Sequence, residues 1–272
     1  MKLTNDQITT ILILNKECVE SKEIALKTNL PLKAIQGCLK NNKCKSVHSR
    51  NYFNVQIKHD YFETINTPEK AYLVGLLAAD GNINKHSVRL RIHPKDKELV
   101  EFMCKEINWL KQPTVTKNGK DSKSVNVSIR SLKMVTSLIN NHNFSYNKTY
   151  NNLFKDLGVY TRYFLLGLFD GDGSIFHSLF QRKSGRGIGR TEELYRFSYT
   201  GNTVTATEIV NYLQTQNIEL KCYSLKKNTK IAYVHSTKIQ ELKNLQKYLY
   251  EGHNLGLKRK RDMFEEAVKF YS

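Results

Sequence analysis

Asp80 and Asp172 each close an apolar helical stretch, and each is followed by glycine and strand-like residues, in "AYLVGLLAADGNI" (71–83) and "YFLLGLFDGDGSIF" (163–176). A carboxylate at the negative end of a helix dipole is unfavourable, and two such ends side by side repel one another further. Something cationic must sit between them. Acidic oxygens completed by water and phosphate suit Mg²⁺, with Mn²⁺ as a substitute, and metal-assisted displacement at phosphorus is the chemistry of such a site.

The elements that must position these acids occur twice. Residues 67–83 and 161–176 align without gaps around Leu-x-Gly-Leu-x-x-(Ala/Gly)-Asp-Gly, Glu69 falling on Thr161, and the two acids lie 92 residues apart. Gly75 and Ala79 in the first copy, and Gly167 and Gly171 in the second, are spaced four apart on one helical face. Small residues at that spacing let two helix backbones approach closely, which would bring both acids to one place. Gly81 and Gly173 are expected to supply a left-handed turn from helix to strand.

Each copy continues in the same order. After Gly81 the patterns predict strands to His93, a helix over 96–108, strands over 113–117 and 124–130, and a helix over 132–141. After Gly173 they predict strands over 174–180 and 194–200, a helix over 205–216, strands over 220–226 and 230–236, and a helix over 238–250. Both copies thus have the order αββαββα, with period-two stretches such as "SVNVSIR" and "KIAYVHS" for the strands.

Charge points to the partner. The 272 residues hold 43 Lys and Arg against 25 Asp and Glu, a net charge of +18, and most of that excess follows residue 66. Such self-repulsion is relieved by a polyanion, and nucleic acid is the first candidate. Five scattered cysteines without a CxxC pair suggest neither a disulfide framework nor a zinc ribbon. No run of eighteen apolar residues is present, so no membrane partner is expected. The first ten residues lack the apolar stretch of a secretory signal, so a cytoplasmic, non-secreted protein of a bacterial, phage or organellar host is expected.

The first fifty residues read as short helices, with Ser21 as an N-cap, a turn at Asn29–Leu30, and Pro31 opening a helix to about Lys40. Ile24, Ala25, Leu30, Ile35 and Leu39 have the buried spacing of two helices crossing steeply, as in a helix-turn-helix. In that arrangement the second helix would expose Lys33, Gln36 and Lys40 to a DNA groove.

Two motif copies with both terminal acids make the sequence resemble a LAGLIDADG homing endonuclease of the single-chain, two-repeat type, over residues 68–272. The resemblance implies an α+β fold in which two pseudo-symmetric αββαββα repeats form a DNA-binding saddle, here preceded by a small all-α helix-turn-helix domain. The corresponding division is 1–50 for that module, 51–66 for a connector, and 67–158 and 159–272 for the repeats. It implies a monomeric, site-specific enzyme that makes a metal-dependent double-strand break in a long duplex target. The alternative is a non-cleaving DNA-binding regulator or RNA maturase on the same fold, which leaves intron RNA open as a partner.

The resemblance also implies roles for single residues. Asp80 and Asp172 match the metal-binding acids, with backbone carbonyls of Ala79, Gly81 and Gly171 as further ligand candidates. A lysine follows the last helix of each repeat: Lys148 in the first, and Lys258 in the second with Lys260 nearby. Ala78 stands where many members have an acid and Asp170 stands there in the second copy, where it is expected to make helix-end hydrogen bonds. A glutamine that some relatives have has no clear counterpart: His93 or Pro94 in the first copy and Thr200 or Gly201 in the second occupy that neighbourhood. Alternating strand residues nominate Lys85, Arg89, Arg91, Asn126, Ser128 and Arg130 in one half for DNA contact. Arg196, Ser198, Tyr223, Lys226, Tyr233 and His235 are their counterparts in the other, and Lys183 and Arg186 lie in a basic glycine-rich loop.

Overall fold

The computed structural model describes residues 3–16, 21–42, 56–118, 122–146, 153–181, 185, 188–224 and 230–271. Its contacts divide the chain into two units, one formed by Met1–Lys58 with Cys104–Gln112, the other by His59–Met103 with Pro113–Ser272.

Among the described residues the first unit contains three short helices, α1 (Asn5–Lys16), α2 (Ser21–Thr28) and α3 (Leu32–Asn41). Their apolar positions converge on Ile11, Ile24, Leu30, Ile35, Cys38 and Leu39, with Ala25 packed against that core. Asn29 takes the left-handed conformation, φ 51°, in the turn between α2 and α3, a conformation in which Asn is enriched. Pro31 serves as the N-cap of α3. Lys33, Gln36 and Lys40 are exposed on one side of α3.

The second unit is organised around α4 (Pro68–Asp80) and α7 (Thr161–Asp172). Thr67 caps α4 by accepting from the Lys70 N–H at 3.3 Å, with Pro68 at the first helical position. α4 is buried without a break from Ala71 to Ala79, and α7 from Phe164 to Asp170. Burial all round is what a helix shows when it packs on its pseudo-symmetric partner and on a sheet at once.

The first repeat continues with β1 (Gly81–Ile83), β2 (Ser87–Ile92), α5 (Lys97–Glu106), β3 (Thr114–Asn118), β4 (Ser122–Arg130) and α6 (Leu132–Asn141). The second continues with β5 (Gly173–Gln181), β6 (Thr191–Asn202), α8 (Thr203–Thr215), β7 (Lys221–Ser224), β8 (Ile231–Ser236) and α9 (Ile239–Tyr250), then adds α10 (Lys258–Phe270). Each repeat forms a four-stranded antiparallel sheet, ordered β1-β2-β4-β3 and β5-β6-β8-β7. The expected element order holds in both. The first hairpin of the second repeat is longer than its patterns predict, and α10 is a helix where the sequence shows a basic run. Its buried face is Lys260, Phe264 and Ala267, at positions i, i+4 and i+7. The lysine in that stripe hides the amphipathic period.

Candidate functional site

Why two helices can end side by side is settled at Gly75 and Gly167. A Cβ on Gly75 would overlap the Phe164 carbonyl, and one on Gly167 would overlap the Tyr72 carbonyl. Residues 72 and 164, like 75 and 167, are related by the 92-residue repeat offset, so the contact is reciprocal, as across a molecular dyad. Next towards the acids, Gly171 faces its repeat mate Ala79, and a Cβ on Gly171 would stand 3.1 Å from Oδ2 of Asp80. The Asp80 carboxylate therefore lies against the residue that precedes Asp172. Asp80 is half-buried and Asp172 exposed.

The glycines after the acids work differently from expectation. Gly81 and Gly173 have φ of −72° and −92°, extended rather than left-handed backbone. What excludes a side chain is crowding: a Cβ on Gly81 would overlap the Leu77 carbonyl, and one on Gly173 the Phe169 ring. Each chain passes straight from helix into strand.

A buried cation meets the end of α7. Lys260, 4 % exposed, donates from Nζ to the carbonyls of Phe169 at 2.7 Å, Asp170 at 2.8 Å and Gly173 at 2.6 Å. An ammonium at the negative end of a helix offsets the field that makes a terminal acid unfavourable. Burial lowers the Lys260 pKa to about 8, opposed by the Asp170 carboxylate.

Asp170 lies beneath. Its Oδ2 accepts from the Tyr72 hydroxyl and from the Leu257 N–H, both at 2.8 Å. The chain reaches it through Gly256, whose φ is 99° and where a Cβ would lie 3.0 Å from that oxygen, so only glycine fits. Burial raises the Asp170 carboxyl to about 6, with Lys260 the first of the groups pulling it down. Asp170 thus ties the start of α10 to α7, the helix-end role expected of it.

Two clefts open beside the acids. One of about 570 Å³ is lined by Asp80, Gly171 and Lys260, together with Arg91, His93, Asp96, Lys123 and Arg259. Arg259 crosses between repeats to hold Asp96 in a two-pronged ion pair at 2.7 and 2.8 Å. Another of about 240 Å³ is lined by Asp172 with Tyr199, Thr200 and Asn202. Burial, followed by the field of Asp172, raises the Tyr199 hydroxyl well above its ordinary range.

Structures of DNA-bound proteins match this architecture. I-LtrWI, a LAGLIDADG homing endonuclease bound to target DNA, superposes with a TM-score of 0.51 at 15 % identity, over 79 % of this chain and 91 % of that one. The meganuclease I-SmaMI bound to uncleaveable DNA gives 0.52 at 14 % identity, over 76 % and 91 %. In a form of I-SmaMI with uncleaved target and calcium ions the values are 0.50, 11 %, 76 % and 92 %. I-GzeII, a LAGLIDADG homing endonuclease in complex with its DNA target, gives 0.51 at 12 % identity, over 76 % and 91 %. The chain has the two-repeat LAGLIDADG fold. No family sequence model and no curated protein sequence matches it.

Within the LAGLIDADG fold the strand nominees share sheet faces. Register pairs Arg89 with Ser128 and Arg91 with Asn126, and Arg130 lies on the same side opposite Ser87. Lys85 is exposed in the turn before β2. Arg91 donates to Ser124 Oγ at 2.9 Å and Thr116 Oγ1 at 3.2 Å, so it is held along the sheet. In the second sheet Ser198 pairs with His235, and Tyr223 with Tyr233. Arg196 lies two residues before Ser198 on the same side, and the Tyr233 and His235 rings stack at 5.3 Å. Burial, and then Arg196 and Lys221, lower the His235 pKa, which reports cations gathered on that face. Lys148, Lys183, Arg186 and Lys226 lie outside the described residues.

One nominee is displaced. Lys258, whose side chain is 82 % exposed, pairs with Asp262 at 2.7 Å and borders a separate cleft with Glu69 and Glu98. Lys260 is the lysine at the end of α7. Within α10 the two lie about 200° apart round the helix axis, so once Phe264 and Ala267 are buried only Lys260 can turn inward. That heptad-like partner set was the signal available in the sequence. Asn82, Thr114, Thr116, Ser174, Phe176 and Lys221 also share the sheet faces by register, and alternation alone did not single them out.

Proposed function

We propose that this chain is a site-specific homing endonuclease that binds a long duplex DNA target across its two sheet faces and hydrolyses both strands in a divalent-metal-dependent reaction. The observation that carries this reading is the reciprocal glycine contact, which seats the Asp80 carboxylate against Gly171 next to Asp172. The matched LAGLIDADG proteins are described in complex with target DNA, and one of them with calcium ions.

The donor set suits a hard cation. In this reading it consists of two carboxylates and backbone oxygens, an all-oxygen set that favours Mg²⁺ or Mn²⁺ completed by water and phosphate over zinc. Asp80 and Asp172 would hold it with the carbonyls of Ala79 and Gly171. Gly81 is the weaker candidate, since the carbonyl of its repeat mate Gly173 is taken by Lys260. When bound, a divalent ion activates water and neutralises charge developing at phosphorus.

The remaining work falls to side chains of the protein. Lys260 holds a proton beside the cleft of Asp80 and fixes the backbone that presents Asp172. Arg91, Lys123 and Arg259 line the same cleft and suit backbone phosphates. Lys148 is the lysine nominated for the first repeat. In the first unit α3, with Lys33, Gln36 and Lys40 exposed, acts as a helix-turn-helix recognition helix that adds contacts outside the sheets.

Incubating the full chain with Mg²⁺ and a random duplex library tests this directly. Recovery of a defined sequence cut on both strands is the expected result. Retained affinity for a defined duplex with no scission at any divalent ion would leave a binding protein.

A further inference from the structure

The two sheet faces differ in chemistry. At the groove-side positions of the first sheet the register places Asn82, Arg89, Arg91, Asn126 and Thr114, all polar. On the same side of the second sheet, β5 contributes Phe176, paired with Arg196, and Phe180, paired with Glu192. These rings are 37 % and 39 % exposed. On the opposite side of β5 His177 packs on Tyr195 and on Phe270 of α10. Phe176 and Phe180 alternate with His177 and so lie on the side away from α10.

We infer that Phe176 and Phe180 read thymine 5-methyl groups in the half-site that lies on the second repeat. This rests on the DNA reading of the sheet faces and names part of its specificity. In the major groove the thymine methyl is the one apolar feature of the base edges, and an aromatic side chain is a natural partner for it. Arg196, directly opposite Phe176, is positioned to fork onto a guanine beside that thymine, and its charge, with that of Lys221, draws phosphate to the same face. The first half-site, facing polar groups alone, is read by hydrogen bonds.

Replacing thymine by deoxyuridine removes the methyl and leaves base pairing intact. After the target is selected from random duplexes, the half on the second repeat is assigned by the positions that Arg196→Ala relaxes. Full-length protein is then titrated with targets carrying deoxyuridine in one half or the other. Substitution in the second-repeat half should weaken binding about four-fold for each contacted thymine, and substitution in the other half should leave affinity unchanged. Phe176→Ala and, separately, Phe180→Ala should each erase the preference for thymine over deoxyuridine at one position. Equal affinity of the parent protein for both targets would overturn the inference, as would an unchanged preference in both variants. If no duplex is selected at all, the DNA reading itself falls, and this inference with it.

Discussion

The two repeats agree at their closest backbone contact and differ at the side-chain contacts around it. Gly75 and Gly167 each receive a carbonyl from the other helix, so the same small residue is required twice. One step away the symmetry is broken in a concerted fashion. The second repeat has Asp170 bound to the Tyr72 hydroxyl, whereas the equivalent positions in the other direction are Ala78 and Phe164, with neither acid nor hydroxyl. Losing both partners of a buried hydrogen bond is nearly neutral, while losing one leaves the other unsatisfied. Identity is kept where the two backbones meet, and the hydrogen-bonding side chains beside them diverge as a matched pair.

The largest break in this comparison would come from the acids. Asp80→Asn and Asp172→Asn should each reduce double-strand cleavage by about 10²–10³-fold or more with DNA affinity retained, as read from plasmid linearisation and a binding titration. Near-parental cutting by either variant would refute a common centre. Gly75→Ala and Gly167→Ala should each cost about 3 kcal/mol or more in denaturant unfolding, because the added methyl meets backbone. Clearly unequal costs would show that the contact is not reciprocal.

Next comes the lysine pair. Lys260→Met strands three carbonyls and removes the countercharge of Asp170, at a cost of about 3 kcal/mol, whereas Lys258→Met should stay within about 0.5 kcal/mol and cut as the parent does. Loss of cleavage in a folded Lys258→Met protein would reverse that assignment. Lys260 loses its proton as pH rises through about 8, below its ordinary 10.5, so cleavage that uses the ammonium should decline above about pH 8. The folded state holds fewer protons than the unfolded chain between those values. The contribution of this group to stability therefore rises with pH across the same window, opposite in sign to the loss of activity. Activity that stays flat to pH 9.5 would remove Lys260 from the reaction.

The smallest effect is the most diagnostic. Tyr72→Phe and Asp170→Ala should couple by about 1 kcal/mol in a double-mutant cycle, the double variant importing the arrangement of the first repeat. Additive losses would mean that Tyr72 and Asp170 do not act as a pair.

Much of this was legible in the chain. The 92-residue repeat, the element order and the face shared by Arg89, Arg91, Asn126, Arg196 and His235 follow from alternation and self-similarity. Gly81 and Gly173 were legible as necessary but for the wrong reason, since crowding against Leu77 and Phe169 depends on how the strand leaves the helix. Lys260 was legible only as a neighbour of Lys258, because a lysine in a basic run looks solvated until the helix around it acquires a buried face.

By itself the sequence determined what is periodic or duplicated: two notched helices ending in acids, strands with one polar side, and an excess of positive charge. Which lysine turns inward, what Asp170 holds, and which face of each glycine meets a backbone were decided only by tertiary structure. The physical reason is range. Periodicity records the local rule that one side of an element must avoid water, whereas these contacts join residues about ninety positions apart, and nothing in the local pattern specifies which partner arrives.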